Sequence, residues 1–344
     1  MVKINSALCV SLVLLAVQSA EARDLTVVSF GGALKDAQAA AFVKPYMESF
    51  NTNVILTEYN GELSKVKAMV DTRSVNWDVV EVEDTDAVMA CDLGLFEELD
   101  YSKIGNEANF IEGAALPCAV GTHAWSTVLA YNSSKIKEAP KSWADFWDLK
   151  KFPGKRSLRK TARGSLEFAL MADGVPVNEV YNVLNTPEGV DRAFKKLDQI
   201  KPNLQWWESG AQPPQYLVSG DVVMSSAYSG RIAAAKASGA TLDNTWNQNL
   251  LQMDLWMIPK GSDNVDAAYK FIKFASDPNN QVAFSNLITY GPTTHGALER
   301  LSPQKLAELP SSAANVKHAL KIDVAFWTDH GESLEQRFIS WAAK

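Results

Sequence analysis

Residues 25–32 read LTVVSFGG, and this octet with the 50 residues after it decides the fold. Leu25 to Phe30 is a short apolar and β-branched run, and Gly31-Gly32 ends it. Residues 33–50 (ALKDAQAAAFVKPYMESF) place Ala33, Ala40, Phe42, Val43 and Met47 at helical spacing. Asn53 to Tyr59 (NVILTEY) predicts a second strand, Leu63 to Asp71 a helix, and Trp77 to Val82 (WDVVEV) a third strand. That strand runs into an acidic loop, Glu83-Asp84-Thr85-Asp86. The order β-α-β-α-β predicts an α/β fold with a mainly parallel sheet and helices on its faces. Ligands of such sheets sit at the carboxyl ends of the strands. Phe30, Gly31, Gly32, Glu83 and Asp84 therefore share one rim.

Downstream the pattern begins again. Ala124 to Asn132 (AWSTVLAYN) predicts a strand leaving the first unit, and Trp143 to Leu149 with Pro153 a turn-rich entry into new structure. Residues 165–173 and 187–200 predict helices. Leu204 to Trp207 predicts a strand, Pro213 to Ser219 a helix, and Asp221 to Ser226 another strand. LLQMDLWMIPKG (250–261) predicts a strand running back, followed by a helix over Asp266 to Ser276 and a mostly helical tail. The expected architecture is two lobes with separate sheets. Lobe 1 takes residues 23–131 plus 250–300, and lobe 2 takes 132–249 plus 301–344. Crossings near Ala130–Ser134 and Asn247–Leu251 make a hinge, and a cleft between the lobes can close on a ligand.

Upstream, residues 1–22 read as a secretory signal peptide. Lys3 supplies the positive start, Ala7 to Val17 is apolar but too short to span a bilayer, and Ala20-Glu21-Ala22 is the cleavage site. Mature chain is expected from Arg23, in the periplasm. Of 344 residues, 322 then remain (344 − 22), enough for two lobes. A net charge of −7 without long basic runs argues against nucleic acid and anionic membrane as partners. Ten tryptophans suggest a cleft lined by aromatics as well as a core.

Two cysteines survive cleavage, Cys91 and Cys118. In an oxidising compartment they are expected to pair; two buried thiols are the alternative. His123, His295, His318 and His330 are dispersed, without metal-ligand spacing, so no metal and no cofactor is expected. There is no G-x-S-x-G, P-loop or G-x-G-x-x-G motif.

Several segments in a fixed order carry a family resemblance: VVSFGGALKDAQ, WDVVEVED, TVLAYNSSKI, WADFWDLKKFPGKRSL, YLVSGDVVMSSAYSGR, and LWMIPKGSDNVDAAYKFIKFASDP followed by YGPT. Over nearly the whole mature chain the sequence resembles the solute-binding proteins of bacterial ABC importers, in the spermidine/putrescine-binding family with the type II periplasmic-binding fold. The resemblance implies a monomeric, non-enzymatic receptor that delivers a small solute to a membrane permease.

It also marks two departures. Polyamine binders commonly carry acidic residues after FPGKRS; here Leu158-Arg159-Lys160-Thr161-Ala162-Arg163 follows. Some carry Asp after the aromatic-Ser-Gly motif; here Tyr228-Ser229-Gly230 precedes Arg231. Arg159, Arg163 and Arg231 tilt the cleft toward a carboxylate-bearing or zwitterionic ligand, gripped in planar two-bond geometry. Their plain alternative is a solvated surface, in which case a true spermidine/putrescine-binding protein remains. Phe30, Gly31 and Gly32 could offer backbone N–H groups, or merely form a tight turn. Glu83, Asp84 and Asp254 could hold an ammonium. Gln212 reads as a site residue or a helix cap. Tyr228, Ser229, Trp246, Asn247, Trp256 and Tyr290 complete the candidates, Trp256 being the one most readily assigned to core. A different class of function is an enzyme on the same fold with Cys91 or Cys118 as nucleophile; a sensory receptor is a third.

Overall fold

A computed structural model of the protein describes residues 23–344. The expected signal peptide and cleavage site lie outside the described residues. Among the described residues ten strands form the framework: β1 (Leu25–Ser29), β2 (Val54–Glu58), β3 (Val79–Glu83), β4 (Ala115–Leu116), β5 (Ala119–Asn132), β6 (Arg156–Arg159), β7 (Leu204–Trp207), β8 (Met224–Tyr228), β9 (Leu242–Met257) and β10 (Leu320–Lys321). Their order across the sheet is β2-β1-β3-β9-β5-β8-β6-β7, with β4 on β5 and β10 on β9. The outer groups pair in parallel, as β2-β1-β3 and β8-β6-β7. The fold is thus the expected α/β class, with helices against a mostly parallel framework.

The expectation of two separate sheets needs correction. β5 and β9 form a long antiparallel pair in the middle and join both parallel groups into one sheet. β9 begins at Leu242, ahead of the residue-250 start expected from its apolar half. Its first half alternates polar residues around Trp246, which hides a strand from a reading that looks for apolar runs. β5 starts pairing with β8 at Thr127, before the Ala130–Ser134 stretch.

Each parallel group has its own core. Leu25, Val27, Phe42, Val79, Trp256, Phe271 and Phe284 pack together on one side. Leu158, Leu166, Phe168, Leu197, Met224, Trp327 and Phe338 pack on the other, so the C-terminal helix Val324–Ala342 belongs with the second. Residues 33–50 form helix with a widened π turn at Ala39–Val43. Pro45 follows that turn, and a proline ring displaces the carbonyl four residues earlier. Most tryptophans serve packing: Trp143, Trp207 and Trp256 are fully buried, and Trp143 stacks on Phe168 with centroids 3.8 Å apart.

Glu83 closes β3 and Asp84 opens the helix Asp84–Asp92, so the expected acidic loop is a strand-to-helix junction. Cys91, in that helix, is bridged to Cys118 just before β5. Neither is a free thiol, so the cysteine-nucleophile reading has no nucleophile. Arg23, the first described residue, donates to both carboxylate oxygens of buried Asp78 at 2.7 Å.

Candidate functional site

Six strands end or pass at one place. After β1 the chain turns at Phe30-Gly31. Gly31 has φ 80° and ψ −176°, and a Cβ there would stand 2.8 Å from Glu58 Oε2. Only glycine adopts this conformation without strain. The Phe30 ring stacks on Tyr59 with centroids 5.3 Å apart. β3 ends on Glu83, directly opposite Asp254 of β9. His123 and Trp125 share one face of β5, two residues apart. From the other parallel group, β6 ends on Arg159 and β8 on Tyr228. Together with Arg163, Arg231 and Tyr290 these residues line a cavity of about 390 Å³ between the two cores.

The charges in this cavity are segregated. Arg163 is committed: Nη1 donates to Glu83 Oε2 at 3.2 Å and to the Thr85 hydroxyl, and Nη2 lies 3.9 Å from Asp86 Oδ1. Burial alone would lower its pKa, but the carboxylates of Glu83, Asp86 and Asp84 hold it above the ordinary arginine value. Arg159 and Arg231 differ. Among the described residues neither has a carboxylate within 4.0 Å. The Arg159 guanidinium lies 5.9 Å from the Trp207 ring centre and 5.8 Å from that of Tyr228, so the aromatic faces offset part of its desolvation. Lys160, by contrast, pairs with exposed Glu208 at 3.2 Å.

The opposite wall is acidic. Asp254 accepts from Trp125 Nε1 at 2.7 Å. His123 stands between two carboxylates, with Nε2 3.3 Å from Asp254 Oδ2 and Nδ1 3.4 Å from Glu81 Oε1. Glu81 also accepts from Gln38 Nε2 at 2.6 Å. Burial raises the pKa of both carboxyls, Asp254 being raised further by the charges of Glu81 and Glu83, and burial lowers that of His123 to about 3. The two imidazole nitrogens face opposite ways, each to its own carboxylate. The three groups form a relay of close polar contacts in which Nδ1 makes no hydrogen bond.

Of the residues singled out from sequence, Phe30, Gly31, Glu83, Arg159, Arg163, Tyr228, Arg231, Asp254 and Tyr290 line this cavity. The Phe30 N–H faces Glu81 Oε2 at 3.4 Å, so it addresses the protein's own carboxylate. Gly32 lies beside it, with a notional Cβ 3.6 Å from Arg231 Nη2. The rest are placed elsewhere. Asp84 is buried and accepts from the N–H groups of Thr85 and Met253, tying the helix start to β9. Gln212 caps a turn by accepting from the N–H groups of Glu208 and Ser209. Ser229 and Trp246 line a separate groove. Asn247 is bonded to the Lys141 carbonyl, and Trp256 is core, 5.9 Å from Phe271. Ser209 and Gly210, in the same segment as Gln212, also line the cavity, as do Asp86, His123 and Trp125, which were not anticipated as site residues. For His123 and Trp125 the signal was available: extending the strand back past Ala124 puts both on Asp254's side.

A family model for bacterial extracellular solute-binding proteins matches residues 41–313. The chain belongs to that family. This solute-binding protein is 53% identical over 329 residues to the gamma-aminobutyric acid-binding protein of Pseudomonas aeruginosa, covering 96% of this chain and 94% of the relative. Among solved structures it is similar to a GABA receptor (35% identity, TM-score 0.85, covering 94% of this chain and 98% of that one). It is also similar to the PBP MotA from A. tumefaciens B6 in complex with glucopine (32% identity, TM-score 0.85, covering 93% and 100%). The cavity of this solute-binding protein, with arginines on one wall and carboxylates on the other, suits a small carboxylate-bearing or zwitterionic solute.

Proposed function

We propose that this protein is the periplasmic receptor of an ABC importer and that its solute is a short ω-amino acid of the γ-aminobutyrate type. The observation that carries this reading is the charge separation across the cavity. Among the described residues Arg159 and Arg231 have no carboxylate within 4.0 Å, and Asp254 lines the same cavity. A carboxylate docks on the guanidinium pair and an ammonium on the acidic wall. A diamine would have to sit beside two uncompensated cations at low dielectric, which opposes binding by several kcal/mol in order of magnitude. The relatives that bind GABA support the same assignment. In this reading the receptor closes as a monomer around its solute, hands it to a membrane permease, and performs no chemistry on it.

Thermal-shift comparison of GABA, putrescine, butyrate and butylamine tests the reading. GABA at ~100 times its Kd adds about 2.7 kcal/mol of stability, and the one-charged analogues should do far less. Stabilisation by putrescine with none by GABA would overturn it and restore the polyamine assignment. Loss of GABA uptake on deleting the receptor or its permease checks the transport role.

A further inference from the structure

The relay behind the acidic wall does not balance as a set of two ionised carboxylates and one neutral imidazole. Glu81, His123 and Asp254 are respectively 0%, 1% and 4% exposed. A neutral imidazole has one N–H and one lone pair. Both its nitrogens face carboxylate oxygens, at 3.3 and 3.4 Å. With both carboxylates ionised, one of these contacts sets lone pair against lone pair in a buried site. One further proton removes the conflict. Nδ1 of His123 is in addition a buried nitrogen that makes no hydrogen bond within the chain, so the relay is not closed by its own partners.

We propose that Glu81, His123 and Asp254 together hold one exchangeable proton in the empty receptor, and that the ligand's ammonium displaces it on docking at Asp254. This deepens the ω-amino-acid reading and rests on it. The balance is simple. The carboxylic acid loses H⁺ to solvent, and the resulting carboxylate accepts N–H bonds from the R–NH₃⁺ that takes its place; no other bond changes. The other groups around the relay agree with this. β3 and the helix after it bring Glu83 and Asp84, both of which disfavour a negative charge at Asp254, and Asp86, which lines the same cavity. Tyr59, Tyr228 and Tyr290 are neutral, their pKa values raised by burial. Arg163 is neutralised by Glu83 and Asp86, and Arg159 and Arg231 stand on the wall that the ligand's carboxylate occupies. His123 lies under the Tyr290 ring, centroids 4.8 Å apart, which shields it from bulk water.

Calorimetry of the wild-type mature chain with GABA, in HEPES and in Tris over about pH 6 to 8.5, tests this. GABA stays zwitterionic across that range. The expected result is a binding heat that depends on the buffer, corresponding to release of up to about one proton per ligand. Affinity should rise with pH by at most about tenfold per unit and level off once the empty relay has lost its proton. E81Q removes a titrating member that does not line the cavity. In it the buffer dependence should shrink severalfold while binding persists. Buffer-independent heat in wild type, or undiminished proton release in E81Q, would overturn the proton exchange while leaving the ligand assignment intact. Absence of binding by GABA and by the other amines would overturn both.

Discussion

Arg163 reaches from one core to the other to meet Glu83, Nη1 to Oε2 at 3.2 Å, with the Thr85 hydroxyl accepting from the same nitrogen. Arg163 owes this reach to its backbone: it is extended (φ −60°, ψ 126°), and Gly164 after it is left-handed (φ 85°), before the helix proper begins. The pair fastens the cleft with the protein's own charges. Arg163→Ala should remove about 1–3 kcal/mol from the closed form. Small-angle scattering should then show a larger radius of gyration for the unliganded protein, with ligand restoring the compact value. An unchanged radius would show that the pair does not hold the cleft.

Arg231 should matter for the carboxylate end of the ligand. Arg231→Gln should weaken GABA binding by about 2–5 kcal/mol, the usual cost of removing one member of a buried charge-assisted pair. Binding of butylamine, which has no carboxylate, should change little or improve. Isothermal titration with both ligands measures the difference, and equal losses for the two would place Arg231 outside the ligand's reach.

Gly31 is set by conformation and by space. A methyl group there meets Glu58 Oε2 at 2.8 Å, and φ 80° is unfavourable for alanine. Gly31→Ala should cost about 1–3 kcal/mol of stability and displace Phe30 from its stack on Tyr59. Denaturant unfolding gives the first effect and titration with GABA the second. A stability within experimental error of wild type would refute the strain argument.

Cys91 and Cys118 lie 27 residues apart in sequence and are joined. The closed loop is worth about 3.5 kcal/mol in the chain-entropy model. The double Cys→Ser variant should lose stability of that order and melt several degrees lower, yet keep its affinity for GABA, since neither cysteine lines the cavity. Intact mass before and after reduction and alkylation should show two thiols only after reduction.

What was legible in the sequence follows from what the sequence repeats. β1, β2 and β3 are short apolar runs punctuated by glycine or polar turns, so period and composition mark them. The arginines at 159, 163 and 231 stood out because they broke a charge pattern of the resembled family. Three kinds of feature stayed hidden. The polar half of β9 is a strand because β5 covers it, a tertiary cause with no local signature. Asp84 and Gln212 are polar residues used for capping, and at a strand-to-helix junction a cap and a ligand group look alike. His123 sits within hydrogen-bonding reach of Glu81 and Asp254, 42 and 131 residues away, through strand pairing alone.

β5 and β9 run unbroken through both cores, and this constrains any motion of one core against the other. With covalent and hydrogen-bonded continuity along two paired strands, relative rotation has to be absorbed as torsion of a ribbon. The ribbon slips register at two points, between Gly121 and His123 and, more widely, between Thr127 and Leu129. At the second the partners are Leu250 and Thr245, and Gln248 within that excursion has φ 59°. A twisted ribbon exerts a restoring torque, so part of the free energy released by ligand contacts would be stored elastically and returned on opening. Affinity and release rate would then be set jointly by the cavity and by the stiffness of residues 245–250, none of which lines the ligand cavity.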